Sequence, residues 1–238
     1  MHIQLVVFDM AGTTVADDAD VAFHLREAVK ALGVSPTLAQ VNAVMGWPKP
    51  LAIRTLLEDQ GLAATEPEVE CIHRSFVDRM VRFYRTHVTV AEVPGTTHVF
   101  RWLKMRGVKV ALDTGFSRPI CHAIVERLGW ADEGLLDATA TSDEVALGRP
   151  APDLIHLAMR RARVTDASCV VKVGDTPSDL EEGRRAGCGM VIGVTRGSHS
   201  SEQLAVCRPD YLVPTVESLP DLFYRLSRER AQQASATV

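Results

Sequence analysis

Residues 3–8, Ile-Gln-Leu-Val-Val-Phe, form an apolar run too continuous for a strand with one wet face. Such a run predicts a strand covered on both sides in a parallel sheet, with Asp9 delivered at its carboxyl end. The hydrophobic period then lengthens: Val21, Leu25, Ala28, Val29 and Leu32 recur at helical spacing over 20–32, and Gly33 supplies a stop. Helical patterns continue through 51–57 and 69–84. At Val93-Pro94-Gly95 the character changes, and short apolar runs begin to alternate with helix-length segments in the order of βα units. Strands are expected near 108–113, 136–140, 169–173, 189–194 and 211–213, and helices near 96–106, 117–128, 151–163, 178–186 and 216–229. The pattern predicts an α/β chain: a doubly wound, Rossmann-like, mostly parallel sheet core built from 1–15 and 93–238, with an inserted helical cap at 16–92. The small polar residues at the carboxyl end are expected to fray.

Composition narrows the partners. Of the 238 residues 46% are hydrophobic and 24% charged, the balance of a globular protein with a real core. The formal charge is only −4 and no run of five like charges occurs, so neither a nucleic-acid footprint nor a polybasic membrane segment is indicated. A small-molecule partner is favoured. No stretch approaches the roughly 20 apolar residues of a membrane span, and the chain opens directly on a strand, so a cytoplasmic location is expected. The five cysteines are odd in number and never paired as Cys-x-x-Cys, which reads as free thiols. The histidines fall at no metal-ligand spacing.

Open α/β sheets gather ligands beyond the carboxyl ends of their strands. Four places there carry polar residues: Asp9, Thr114, Arg149 after Gly148, and Asp175 with Asp179. Singly, each has an ordinary explanation, since a carboxylate after a strand often caps the next helix and a loop arginine is usually solvated. Their order in one chain says more. Asp9-Met10-Ala11-Gly12-Thr13-Thr14, Thr114-Gly115, Gly148-Arg149-Pro150 and Gly174-Asp175-Thr176-Pro177-Ser178-Asp179 resemble the four signatures of haloacid dehalogenase-type hydrolases. That resemblance implies that Asp9 attacks phosphorus to give an aspartyl phosphate. It also implies that Thr13, Thr114, Gly115 and Arg149 hold the phosphate, and that Asp9, Ala11 and Asp175 hold Mg2+ with Asp179 in support. Phosphoryl transfer needs mainly positioning and charge neutralisation, and a hard cation offsets the repulsion between carboxylate and phosphate.

One departure narrows the chemistry. Ordinary phosphatases of that superfamily place a second aspartate two residues after the nucleophile to protonate the departing alkoxide, and this chain has Ala11 there. Loss of such a proton transfer costs about 10² to 10⁴ in rate, so either the enzyme is crippled or its leaving group is not an alkoxide. The Asp-x-Ala-Gly-Thr pattern and the arginine at 149 resemble the phosphonatases, the phosphonoacetaldehyde hydrolases that break a carbon–phosphorus bond. In that family a cap lysine follows Met-Gly and two further residues, and this chain reads Met45-Gly46-Trp47-Pro48-Lys49. The resemblance implies that Lys49 forms a Schiff base with an aldehyde, turning a carbanion leaving group into an enamine. It also implies a homodimer. The family pattern further has a histidine three residues after the lysine and a tyrosine after Thr-Gly, where this chain carries Ala52 and Phe116, which leaves the exact phosphonate open. A phosphate-monoester hydrolase of the same superfamily, and a non-catalytic phosphometabolite-binding protein, are the alternatives.

Overall fold

A computed structural model describes residues 2–236. Six strands form one parallel sheet in the order β3-β2-β1-β4-β5-β6: β1 Leu5–Phe8, β2 Lys109–Thr114, β3 Ala138–Thr141, β4 Val170–Gly174, β5 Met190–Val194 and β6 Tyr211–Val213. This is the doubly wound order expected from the alternation of apolar runs and helical segments. Register decides which side chains meet. Val7 pairs with Ala111 and Lys172, whereas Phe8 pairs with Leu112 and Val173. Because side chains alternate across a strand, the first set lies on one sheet face and the second on the other. One residue beyond, Asp9 and Asp113 continue the face that carries Lys172.

Helices α5 Thr96–Met105, α6 Arg118–Arg127, α7 Asp153–Ala162, α8 Pro177–Arg185 and α10 Leu219–Ala236 belong to the βα alternation. Between β1 and α5 stand α1 Asp20–Val29, α2 Leu38–Ala43, α3 Lys49–Glu58 and α4 Glu66–Thr86. Their stripes, including Leu25 and Val29, Ile53 and Leu57, and Phe76, Met80 and Tyr84, are buried. The chain leaves and re-enters the sheet side by side: Ala16 donates to the Ala91 carbonyl at 3.0 Å and Val93 to the Thr14 carbonyl at 2.9 Å. Gly33 stops the first helix with φ 78°, after a 3-10 turn Lys30–Leu32 has extended it.

Boundaries differ from the sequence expectation in three places. Helix α2 and α9, Ser201–Val206, are six residues each, too short to show a helical period. The expected helix at 216–229 divides into a 3-10 turn Val216–Ser218 and α10. Helix α10 also continues through Ala236, where fraying was expected; Thr237 and Val238 lie outside the described residues. No described helix is long and apolar enough to cross a membrane. All five cysteines are free thiols.

Behind the sheet, Phe100 of α5 packs its ring 5.1 Å from Phe8 and 5.2 Å from Trp130, all fully buried. Phe100→Ala should lower the unfolding free energy by about 3–5 kcal/mol, measured by urea denaturation, because the cavity is walled by rigid rings. A loss below about 1 kcal/mol would mean that this packing is not formed.

Candidate active site

Asp9 leaves β1 with its amide donating to the Val173 carbonyl of β4 at 2.9 Å. The chain then doubles back: Thr14 and Val15 amides both donate to the Met10 carbonyl at 2.8 Å, and the Thr14 hydroxyl donates to the Asp9 carbonyl at 2.8 Å. Gly12 makes this turn at φ 90°, and a Cβ there would stand 2.5 Å from Asp175 Oδ2. Only glycine lets the loop pass under that carboxylate. Asp175 follows β4 and accepts from the Thr13 hydroxyl at 2.9 Å, from the Ser198 amide at 2.7 Å and from the Ser198 hydroxyl at 2.5 Å. Thr13, expected at the phosphate, instead gives its hydroxyl to Asp175 and its amide to Met10. Thr114 ends β2, and its hydroxyl accepts from the Phe116 amide at 3.1 Å.

Arg149 lies in the loop before α7, several residues past β3 and not directly after a strand as the sequence reading had it. The residue is 1% exposed and its guanidinium is fully engaged. Nη1 meets Asp9 Oδ1 at 2.5 Å and Asp179 Oδ1 at 2.9 Å, Nη2 meets Asp113 Oδ1 at 2.5 Å and the Asp113 carbonyl at 3.0 Å, and Nε meets Glu182 Oε2 at 2.8 Å. Lys172, buried in β4, shares the same carboxylates: it contacts Asp113 Oδ1 closely, Asp179 Oδ1 at 3.1 Å and Glu182 Oε2 at 3.3 Å. Asp179 also closes a capping box at the start of α8, accepting from the Thr176 amide at 3.1 Å and hydroxyl at 2.6 Å. It is thus both the helix cap and part of the charge network.

Sequence reasoning missed Asp113, Lys172, Glu182 and Ser198. The first two carried a signal: a charged residue inside an otherwise apolar, two-face-buried strand must be paired. Glu182 and Ser198 carried none, because a helix glutamate and a loop serine are ordinary surface residues.

Lys49 begins α3, is 3% exposed, and lines one small cavity with Asp9, Ala11, Thr114, Phe116 and Arg149. The Met45-to-Lys49 segment lies directly on the core loops. A Cβ on Gly115 would stand 2.7 Å from the Trp47 carbonyl, and one on Gly148 would stand 2.3 Å from the Pro48 ring. Lys49 Nζ donates to the Trp47 carbonyl at 3.3 Å and sits 5.6 Å from the Phe116 ring centre. The Trp47 side chain packs against the core and does not line the cavity. Ala52 is fully buried on the same helix.

Electrostatics follow from burial. Lys49 is brought down to about 8, chiefly by desolvation, with Arg149 adding repulsion and Asp9 and Asp17 opposing it. Asp9 is pushed up to about 8, first by burial and then by Asp179, with Asp175 contributing and Arg149 opposing. Asp175 rises to about 6 and Glu182 to about 8, both chiefly through burial. Carboxylate oxygens of Asp9, Asp175 and Asp179 lie within 4.8 Å of one another. Asp9 Oδ2 accepts no hydrogen bond among the described residues. A hard divalent cation fits this oxygen set, since it would relieve the repulsion that raises Asp9 and Asp175. Ala11 can offer it only a main-chain carbonyl.

The sequence pattern of haloacid dehalogenase-like hydrolases matches residues 3–187. The chain is 29% identical to the phosphonoacetaldehyde hydrolase of Bordetella avium, covering 99% of this chain and 94% of that protein. It is 31% identical to the phosphonoacetaldehyde hydrolase of Bacillus cytotoxicus, covering 83% and 78%. The fold superposes on a phosphonoacetaldehyde hydrolase-like protein from Oleispira antarctica with a TM-score of 0.83 at 23% identity, covering 98% of this chain and 95% of that one.

A pH dependence of stability follows from the raised carboxylates. The metal-free folded state keeps protons on Asp9, Asp175 and Glu182 up to about 8, 6 and 8, against ordinary values of 3.8, 3.8 and 4.5. Their contribution is complete below about pH 4 and is lost as pH rises towards 8. In EDTA the thermal midpoint should fall over that window. Magnesium at about a hundredfold excess over its Kd should raise the midpoint at pH 8 by roughly 5–10 °C. A midpoint at pH 8 that ignores magnesium would contradict the metal-site reading.

Proposed function

We propose that this chain, which belongs to the haloacid dehalogenase-like hydrolase family, hydrolyses the carbon–phosphorus bond of phosphonoacetaldehyde or a related 2-oxoalkylphosphonate. The observation that carries this reading is the buried Lys49 amine sharing one cavity with the Asp9 carboxylate. The names of the curated relatives point the same way.

Carbon leaves phosphorus badly because it departs as a carbanion. With its pKa near 8, Lys49 is neutral in about half the molecules at that pH, and a neutral amine can add to an aldehyde. The resulting iminium accepts the electron pair of the carbon–phosphorus bond, and the two-carbon fragment departs as an enamine. Asp9 Oδ2 takes the phosphoryl group while Arg149 holds Oδ1. Water then hydrolyses the aspartyl phosphate, and hydrolysis of the enamine frees Lys49. Magnesium, held by Asp9, the Ala11 carbonyl and Asp175, would neutralise charge between the carboxylate and the phosphoryl oxygens. Thr114 and Gly115 also line the cavity and, in this reading, hold the phosphoryl oxygens. No carboxylate stands at position 11, and this route requires none, because no alkoxide is released. Residues 16–92 form the cap in this reading, and closure of that segment over Gly115 and Gly148 excludes water from the iminium.

Borohydride added to the protein with phosphonoacetaldehyde and magnesium should fix the two-carbon fragment on Lys49, located by peptide mass mapping, with phosphate released. Lys49→Arg should abolish the adduct and reduce phosphate release by about 10⁴-fold or more, the scale of removing a covalent nucleophile. Turnover of simple phosphate esters that matches the phosphonate and survives Lys49→Ala would favour a phosphate-monoester hydrolase instead.

A further inference from the structure

Nη1 of Arg149 is divided between two acids, Asp9 Oδ1 at 2.5 Å and Asp179 Oδ1 at 2.9 Å. Whatever strengthens the pull of Asp179 therefore draws the guanidinium off Asp9. Lys172 acts at that point. It meets the same oxygen atoms as Arg149 on three acids: Asp113 Oδ1 in close contact, Asp179 Oδ1 at 3.1 Å and Glu182 Oε2 at 3.3 Å. Asp9 is the one carboxylate of the four that Arg149 holds without Lys172, among the described residues. The far oxygens of the three shared acids take no other cation. Asp113 Oδ2 and Glu182 Oε1 have no hydrogen-bond partner, and Asp179 Oδ2 accepts from the Thr176 amide and hydroxyl.

The fold places this lysine deliberately close. In β4 it pairs with Val7 of β1 and Val191 of β5, on the face that Asp9 and Asp113 continue. Helix α8 lies against its stem through Gly183, where a Cβ would stand 2.9 Å from Lys172 Cβ. That approach brings Asp179 and Glu182, three residues apart on one helix face, to the ammonium. Lys172 is fully buried and does not line the cavity that holds Asp9 and Lys49. A lysine so placed touches no substrate, and any effect it has on the reaction passes through Arg149.

We propose that Lys172 is a positioning residue for Arg149. By neutralising Asp113, Asp179 and Glu182 at the oxygens they share with the guanidinium, it leaves Nη1 to Asp9 Oδ1 and so keeps Asp9 Oδ2 free. Without it, four carboxylates compete for one guanidinium, and Asp179 wins the shared nitrogen. The role rests on reading Asp9 as the group that takes phosphorus.

The test uses the full chain with magnesium and two readouts. The first is binding of fluoroberyllate, a phosphoryl mimic that joins a carboxylate oxygen, followed by fluorine NMR; it needs no knowledge of the substrate. The second is phosphate release from phosphonoacetaldehyde. No bound signal in wild type, or one that survives in Asp9→Ala, overturns the reading of Asp9 and this role with it. With that signal established, Lys172→Met should weaken fluoroberyllate binding by about tenfold or more. It should also lower kcat by about 10² with KM little changed, the scale of a misplaced group at a reacting centre. Adding Glu182→Gln to Lys172→Met removes an acid along with the cation, and the pair should bring fluoroberyllate binding back to within about tenfold of wild type. That double variant carries the test where Lys172→Met alone does not fold. A folded Lys172→Met with wild-type affinity and kcat overturns the proposal and marks Lys172 as a charge that only stabilises the sheet. A double variant that binds fluoroberyllate about a hundredfold more weakly than wild type overturns it too, because charge balance would then not be what holds Arg149 on Asp9.

Discussion

The site depends on one buried guanidinium. Arg149 binds carboxylates from four places in the chain, Asp9 after β1, Asp113 in β2, and Asp179 and Glu182 of α8. Five acids, with Asp175, crowd the carboxyl ends of the strands; Arg149 and Lys172 tie four of them together, while Asp175 is held by Thr13 and Ser198. Burial of so many like charges is costly unless each is paired and hydrogen-bonded. Burial first, and then the neighbouring Asp179 charge, keeps Asp9 and Asp175 raised, and the excess of acid over base makes the site receptive to a divalent cation. Arg149 also fixes which oxygen of Asp9 is free, and so the direction from which phosphorus must approach.

A second constraint is the close approach of the Met45-to-Lys49 segment to the core. With glycine at 115 and 148, the Trp47 main chain and the Pro48 ring from the segment between β1 and α5 rest directly on main chain of the sheet's carboxyl end. That contact buries Lys49. Burial lowers its pKa to about 8, and the same burial raises Asp9 to about 8, so a nucleophilic amine and an acidic site coexist within one cavity. Opposite shifts that share burial as their largest cause suit a site that runs amine and carboxylate chemistry at one pH.

Much of the fold was legible because its strands are continuously apolar and its helices periodic. Residues 211–213 were placed to the residue, and the other strands within two positions. The short helices α2 and α9 were not legible, since six residues span less than two turns. Asp9, Lys49, Thr114, Arg149 and Asp175 stand in fixed motifs, which is what made them legible as candidates. The pairing that surrounds Arg149 was not, because Asp113, Lys172 and Glu182 meet only through parallel register and helix packing. Thr13 shows the limit of motif reading: its position was legible, but the direction of its hydroxyl, toward Asp175, is a property of the turn at Gly12.

The fold presents Lys49 as a desolvated amine. The direct measurement is an NMR titration of the chain labelled at lysine ε-carbon, with the Lys49 signal assigned by its loss in Lys49→Arg. A buried Lys49 should show a midpoint near 8; a midpoint at the ordinary 10.5 would mean that the amine is not desolvated.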